Sequence, residues 1–226
     1  MPRQSLDKEI NSIRDDLLIL SSMVETALVE SVTALKDHDM ERSRIVYDND
    51  IRINKKRFDL EGRIIAAIAT QSPVLTDLRF LASAMNISTE LERIGDYAKT
   101  IARINLISGG ISIPALLRLT YDMGVRASEM LHRAMTAFIL VNVPSATRII
   151  ADDEIVDAMY NALYAGLIDF VVRGAHNMER ANYLFWVAHN LERAADRVTN
   201  ICERTIYLET GEFGFVALPN APIIKN

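Results

Sequence analysis

The feature that most constrains this chain is a helical apolar pattern that runs through three long segments and then starts again. From residue 6 to residue 35, apolar side chains recur in alternating steps of three and four, the spacing of an amphipathic helix with a coiled-coil-like seam. Breaks at KDHD, QSPVLTD and SGG separate this segment from two similar ones. The first half is therefore predicted to contain helices over about 6–35, 41–70 and 75–107.

The second half repeats the first. Residues 33–50 align with 136–153 at a constant offset of 103, and LERIGD at 91–96 aligns with LERAAD at 191–196 at an offset of 100. Short turns between long helices force neighbours to run antiparallel, so each half is predicted to be a three-helix bundle. The predicted fold is all-α, with helices over about 113–141, 145–173 and 178–208 in the second half. It consists of two tandem, sequence-related three-helix bundles, residues 1–109 and 110–226, the second ending in a short C-terminal tail.

Composition narrows the functional classes. The net charge of −5 argues against nucleic-acid binding, which needs a basic surface. The single cysteine, Cys202, excludes an internal disulfide and a cysteine-based zinc site, and it suits a reducing cytoplasm. No apolar run approaches the roughly 18–20 residues of a membrane span, so we expect contact with a membrane only through a partner.

Two helices carry an acidic pair with an unfavourable spacing. Glu92 and Asp96 lie four residues apart, where like charges destabilise a helix by a few tenths of a kcal/mol, and Glu192 and Asp196 repeat them. The preceding helix of each half carries a polar pair with the same spacing. Antiparallel packing would bring each of these pairs to the level of the acidic pair on the next helix. The predicted sites are Asp50, Asn54, Glu92 and Asp96 in the first half, and Asp153, Asp157, Glu192 and Asp196 in the second.

Carboxylates gathered at one level repel one another unless they are protonated, hydrated or neutralised. Hard cations such as magnesium, manganese, iron or zinc neutralise them through oxygen ligands. On the sixth helix His189, Asn200 and Glu203 extend the same face, and each could also offer a lone pair to a metal or a proton. The alternative is that both acidic faces are solvated surfaces, bridged by neighbouring arginines.

Two other functional classes stay open at this point. One is a carboxylate-bridged di-metal enzyme in a helical bundle, although ferritin-like centres need two Glu-x-x-His motifs and this chain has one, at Glu129–His132. The other is a metal-free helical scaffold. No glycine-rich phosphate loop or Gly-x-Ser-x-Gly motif is present.

Four motifs together resemble the PhoU family of phosphate-uptake regulators. They are SPVLTDLR at 72–79, LERIGD at 91–96, LERAADRVTNICE at 191–203 and IYLETGE at 206–212. The resemblance implies two three-helix bundles that bind iron or zinc clusters through the acidic pairs, with Asn200 and Glu203 in support of the second site. It further implies a cytoplasmic, non-enzymatic adaptor that restrains phosphate uptake and phosphate-starvation signalling. Its implied partners are a phosphate ABC transporter ATPase and a sensor histidine kinase, and a homodimer stays open.

The first half departs from the pattern of that family. Thr100-Ile101-Ala102-Arg103 stands where the family has Asn-Ile-Ala-Glu, and Asn54 replaces the more usual aspartate. Because Arg103 adds a cation and Asn54 removes a carboxylate, the first site is predicted to bind metal weakly or not at all. The second site is predicted to bind metal more tightly.

Overall fold

The computed structural model describes residues 2–111, 113–174 and 178–212, which contain six long helices and no strand. Each helix lies within a few residues of its predicted span, and the predicted tail from residue 213 onward lies outside the described residues. The division predicted between 109 and 110 falls in the connection between the third and fourth helices. The helices are α1 (Pro2–Asp37), α2 (Met40–Gln71), α3 (Thr76–Ser108), α4 (Pro114–Ile139), α5 (Val143–Arg173) and α6 (Met178–Thr210).

Equivalent turns begin the second helix of each half. The side chain of Asp39 accepts a hydrogen bond from the backbone N–H three residues later, with an N···O distance of 2.9 Å, and caps α2. Asn142, 103 positions further on, caps α5 in the same way at 3.0 Å. The fifth helix therefore begins at Val143, two residues before the predicted start at Ser145, because Asn142 satisfies the free N–H group.

The two halves are three-helix bundles that lie side by side. The three helices of each half all contact one another. Between the halves, α1 packs against α4 and α3 packs against α6. Thus α1, α3, α6 and α4 form a closed ring of four packed helices, and α2 and α5 flank it, each on the side of its own half.

Glycines set two of the closest helix contacts. A Cβ at Gly95 would lie 3.2 Å from Cγ2 of Ile53, so the absence of a side chain lets α2 approach α3 closely. A Cβ at Gly124 would lie 2.7 Å from Cγ1 of Val32, across the contact between α4 and α1. The close contact at Gly95 lies at the level of Asp96, one of the predicted site residues.

Within the described residues, two helices are long and apolar enough to pass as membrane spans by length and composition alone. They are Gln4–Asp37 and Val143–Arg173, with mean hydropathies of 1.5 and 1.4 over their most apolar windows. The sequence-based statement that nothing approaches a span counted only unbroken apolar runs, which this broader measure does not test. In α1 the apolar residues of the seam line the core. In α5 only 17% of the window is buried, so an apolar face remains on the outside.

Candidate metal centre

The first acidic cluster, Asp50, Asn54, Glu92 and Asp96, lies between α2 and α3 around one buried carboxylate. Asp50 is only 3% exposed. Its Oδ2 accepts hydrogen bonds from Asn54 Nδ2 at 2.8 Å and from Lys99 Nζ at 2.7 Å. Its Oδ1 is buried and has no hydrogen-bond partner within the described part of the chain. Because the charge of Asp50 acts on both Glu92 and Asp96, the four predicted residues do lie at one level.

Cations of the protein itself offset the acidity of this first cluster. Burial is the largest cause of the raised pKa of Glu92, followed by the charge of Asp96, while Arg93 and Arg57 oppose the rise. Burial also raises the pKa of Asp96, and Lys99 and Arg93 oppose it. Lys99 in turn has a raised pKa, chiefly because it donates a hydrogen bond to the α2 carboxylate. The first cluster is therefore largely neutralised from within.

The second acidic cluster, Asp153, Asp157, Glu192 and Asp196, lies between α5 and α6 at the equivalent level. Burial raises the pKa of Asp153 to about 7, and the charges of Asp157, Asp196 and Glu192 add to the rise. All three of these charges are negative. The four carboxylates that the sequence predicted to meet are thus close enough to repel one another.

The α6 members of the second cluster have raised pKa values for the same reasons. Burial is the largest cause for Glu192, and the charges of Asp196 and Asp157 follow, opposed by Arg193. Glu192 Oε2 is buried and has no hydrogen-bond partner within the described ranges. The nearest histidine nitrogen, Nδ1 of His189, lies 3.6 Å from it, which is longer than a hydrogen bond.

Two of the three cations that oppose the first cluster, Lys99 and Arg57, have no counterpart at the equivalent positions of the second, whereas Arg93 is matched by Arg193. At the offset of 100 Lys99 aligns with Thr199, and at the offset of 103 Arg57 aligns with Tyr160. Sequence reasoning missed both exchanges, although the alignment contained them, because it looked only for oxygen ligands. It named Arg103 as the opposing cation. Arg103 is not among the charges that shift the pKa of the α3 carboxylates.

The structure also gives the surroundings of Asn200 and Glu203, the two residues predicted to support the second site. Asn200 Nδ2 donates a hydrogen bond at 3.1 Å to Glu90 of α3, so its amide lies in the contact between the two halves. Glu203 is exposed further along α6, and it is not among the charges that raise the pKa of Asp153. The structure therefore brings together the two four-residue sets, and the supporting role of Asn200 and Glu203 stays a prediction.

The residues of the second cluster suit a hard cation better than those of the first. Each cluster has one buried carboxylate oxygen without a hydrogen-bond partner within the described residues, Asp50 Oδ1 and Glu192 Oε2. The second differs in having four carboxylates and in the pKa of Asp153, which burial and three neighbouring anions raise to about 7, and this negative charge is what a cation would stabilise. Within 2–111, 113–174 and 178–212, however, no three or more Asp, Glu, His or Cys side chains are gathered closely enough to hold a metal ion as they stand. A metal would have to draw these side chains together from α5 and α6.

Fold and site define the class: an internally duplicated six-helix protein in which each half presents an acidic cluster between its second and third helices. The PhoU domain model matches this chain twice, over residues 17–104 and 120–205. The chain belongs to the PhoU family. The two matched segments confirm the predicted internal repeat and the predicted resemblance.

Characterised relatives and solved structures match almost the whole chain. A phosphate-specific transport system accessory protein PhoU homolog from Clostridium acetobutylicum is 28% identical over 94% of this chain and 97% of its own length. A homolog of the same name from Streptococcus pneumoniae serotype 4 is 30% identical over 93% of this chain and 97% of its own length.

The crystal structure of the phosphate transport system regulatory protein PhoU from Streptococcus pneumoniae superposes with a TM-score of 0.85 at 29% identity. It covers 92% of this chain and 99% of that one. The crystal structure of PhoU from Pseudomonas aeruginosa also superposes with a TM-score of 0.85, at 27% identity, and covers 91% of this chain and 99% of that one. These names describe accessory and regulatory proteins rather than enzymes, in agreement with the prediction for this chain.

Proposed function

We propose that this protein is a regulatory accessory protein of a phosphate-specific transport system and that it works as a metal-binding adaptor in the cytoplasm. It restrains phosphate uptake and phosphate-starvation signalling when phosphate is plentiful. It does so by contacting the ATPase of a phosphate ABC transporter and a sensor histidine kinase. The relatives support the transport role, since they are named as accessory or regulatory proteins of phosphate transport and match this chain over most of its length.

The observation that carries the metal-binding part is the second acidic cluster. Four carboxylates from α5 and α6 lie at one level, burial raises the pKa of Asp153 to about 7, and only anions add to that rise. A bound cation of the hard or borderline class would stabilise this arrangement, with iron or zinc preferred from the family resemblance and magnesium or manganese as alternatives. Asp153, Asp157, Glu192 and Asp196 would hold it.

A regulatory assay with a matched pair of variants tests this proposal. In cells that lack the gene, the wild-type chain should restore repression of a phosphate-starvation reporter at high phosphate. The double variant Glu192→Ala/Asp196→Ala should fail to do so, while the equivalent first-half variant Glu92→Ala/Asp96→Ala should retain most of the repression. Circular dichroism and expression level must be equal for the comparison to count.

Partner capture provides the second arm of the test. Wild-type protein immobilised with its native metal should retain the transporter ATPase and the sensor kinase from solubilised membranes, and Glu192→Ala/Asp196→Ala should retain much less of at least one. Full repression and full capture by that variant would remove metal from the mechanism. Failure of the wild type to alter the reporter would remove the phosphate-regulatory role.

A further inference from the structure

The ammonium group of Lys99 lies where an inorganic cation would be expected in the first acidic cluster. Its Nζ is 2.7 Å from Oδ2 of Asp50, a carboxylate that is 97% buried and on a different helix. Asn54 donates a second hydrogen bond to the same oxygen at 2.8 Å. The ion pair therefore joins α3 to α2 at the level of Asp96.

A metal ion and this ammonium group would compete for the same ligand. A divalent ion binding to the free Oδ1 of Asp50 would lie beside the ammonium group on Oδ2 and be repelled by it, and an ion binding to Oδ2 would have to displace that group. Removing one partner of a pair that includes a buried carboxylate is costly, because the other charge is left without compensation. A flexible lysine also follows the carboxylate as a compact point charge, so it can replace a small cation without a fixed coordination geometry.

The second half shows what the same scaffold does without this lysine. Thr199 occupies the position equivalent to Lys99, and its hydroxyl donates to the backbone oxygen of Asp196 at 2.8 Å, so it supplies no charge. Tyr160 likewise replaces Arg57. Both halves thus keep the helix geometry and the acidic residues of α3 and α6, and they differ in the source of the neutralising charge.

We infer that Lys99 takes the place of a metal ion in the first acidic cluster, so that this half holds its carboxylates together without metal and only the second half responds to metal. The inference deepens the proposed function and rests on it for the role of the second cluster. The exchange between Lys99 and Thr199 is the residue difference that separates a metal-independent half from a metal-dependent one.

Zinc titration tests the effect of exchanging Lys99 for threonine in the first cluster. The whole chain is used, after it has been stripped of metal with EDTA and dialysed. The starting protein is Glu192→Ala/Asp196→Ala, which lacks the α6 ligands of the second cluster. In that protein Lys99→Thr should create a Zn²⁺ site at least about tenfold tighter than any present before the change. Lys99→Arg, which keeps the positive charge, should create none.

Thermal unfolding gives a readout that does not depend on regulation. In EDTA the Lys99→Thr chain should unfold at a lower temperature than the Lys99→Arg chain, and Zn²⁺ should restore the loss only in Lys99→Thr. If Lys99→Thr gains neither zinc affinity nor a zinc-dependent rise in unfolding temperature, the inference is overturned. It is also overturned if the starting protein already binds Zn²⁺ and Asp50→Asn abolishes that binding.

The reciprocal variant covers the case in which Lys99→Thr fails to fold. Thr199→Lys in the otherwise wild-type chain should weaken Zn²⁺ binding by about tenfold or more, since it places an ammonium group beside the second cluster. Unchanged affinity would contradict the inference. If the wild type binds no Zn²⁺ but Lys99→Thr does, the inference stands and the proposed role of the second cluster fails, so the two results are distinguishable.

Discussion

The two acidic clusters occupy equivalent positions in a duplicated fold, and they solve the same electrostatic problem differently. In the first, Lys99 binds the buried carboxylate of Asp50 directly. In the second, Asp153 is surrounded by three further carboxylates, and its pKa rises to about 7. The difference teaches that a conserved helix geometry does not by itself define a metal site. One turn beyond the acidic pair, the first half has the cation Lys99 and the second has the neutral Thr199.

The largest expected difference between the halves is in bound metal. Glu192→Ala/Asp196→Ala should lose nearly all the metal that copurifies with the wild type, because it removes half of the ligands of the unneutralised cluster. Glu92→Ala/Asp96→Ala should lose little. Elemental analysis of the two purified variants measures the difference, and equal loss from both would contradict the asymmetry.

The next largest effect concerns the buried carboxylate of the first cluster. Asp50→Asn should reduce the free energy of unfolding by about 1–3 kcal/mol, because Lys99 loses the partner that holds it between α2 and α3. Urea denaturation in EDTA measures this change. The equivalent Asp153→Asn variant is the control and should not be destabilised, so a comparable loss there would mean that the two clusters are electrostatically alike.

A smaller effect is expected at the helix caps, where the two halves should behave alike. Asp39→Ala and Asn142→Ala each remove a helix cap with nearly the same N···O distance, 2.9 and 3.0 Å, so each should cost about 1 kcal/mol of stability. Thermal or urea unfolding of the two variants measures both values. A difference of more than about 1 kcal/mol would show that the turns are not equivalent despite their geometry.

The smallest expected effect is the pH dependence that Asp153 of the second cluster contributes. The pKa of Asp153 rises from the usual value near 3.8 to about 7 in the folded, metal-free protein, so the folded state binds this proton more tightly than the unfolded state. Stability gained from the protonated group is present below about pH 4 and is lost as the pH rises to about 7. Asp153→Asn should therefore be as stable as the wild type near pH 4 and more stable above pH 7.

Solvent screening of this half-buried group keeps the expected gain at about 1 kcal/mol or less. Denaturation curves of the two proteins at several pH values in EDTA measure it. The stability difference should grow between pH 4 and pH 7 and then level off. A stability difference that stays constant between pH 4 and pH 7 would mean that Asp153 is not the group that binds the proton. Saturating metal should remove the advantage of the asparagine variant.

Most of the architecture could be predicted from the sequence because helical periodicity and helix breaks are local signals. The three-four spacing of α1 and the breaks around Pro73 and Gly109 located the helices within a few residues. The constant offsets also identified the repeat and showed that Asp153 of the second half is equivalent to Asp50 of the first. The start of α5 was missed by two residues, because which polar side chain caps a helix depends on the geometry of the turn.

The candidate sites were only partly predictable. The i, i+4 pairs on α3 and α6 identified the acidic members, since residues four apart share a helix face whatever the tertiary structure. The supporting role of Asn200 stays a prediction, and the sequence did not show that the packing of α6 against α3 lets its amide nitrogen donate to Glu90. A helix presents several faces, and its sequence does not say which neighbour lies against each.

The sequence alone determined an all-α chain of two related three-helix halves with an acidic cluster in each, because periodicity, breaks and repeats are written into consecutive residues. Only the tertiary structure decided that Lys99 neutralises the first cluster while the second keeps its excess charge. That outcome depends on a side chain of α3 reaching a buried carboxylate of α2. Contacts between residues far apart in sequence, such as the 2.7 Å pair of Lys99 and Asp50, arise from packing and not from any local pattern.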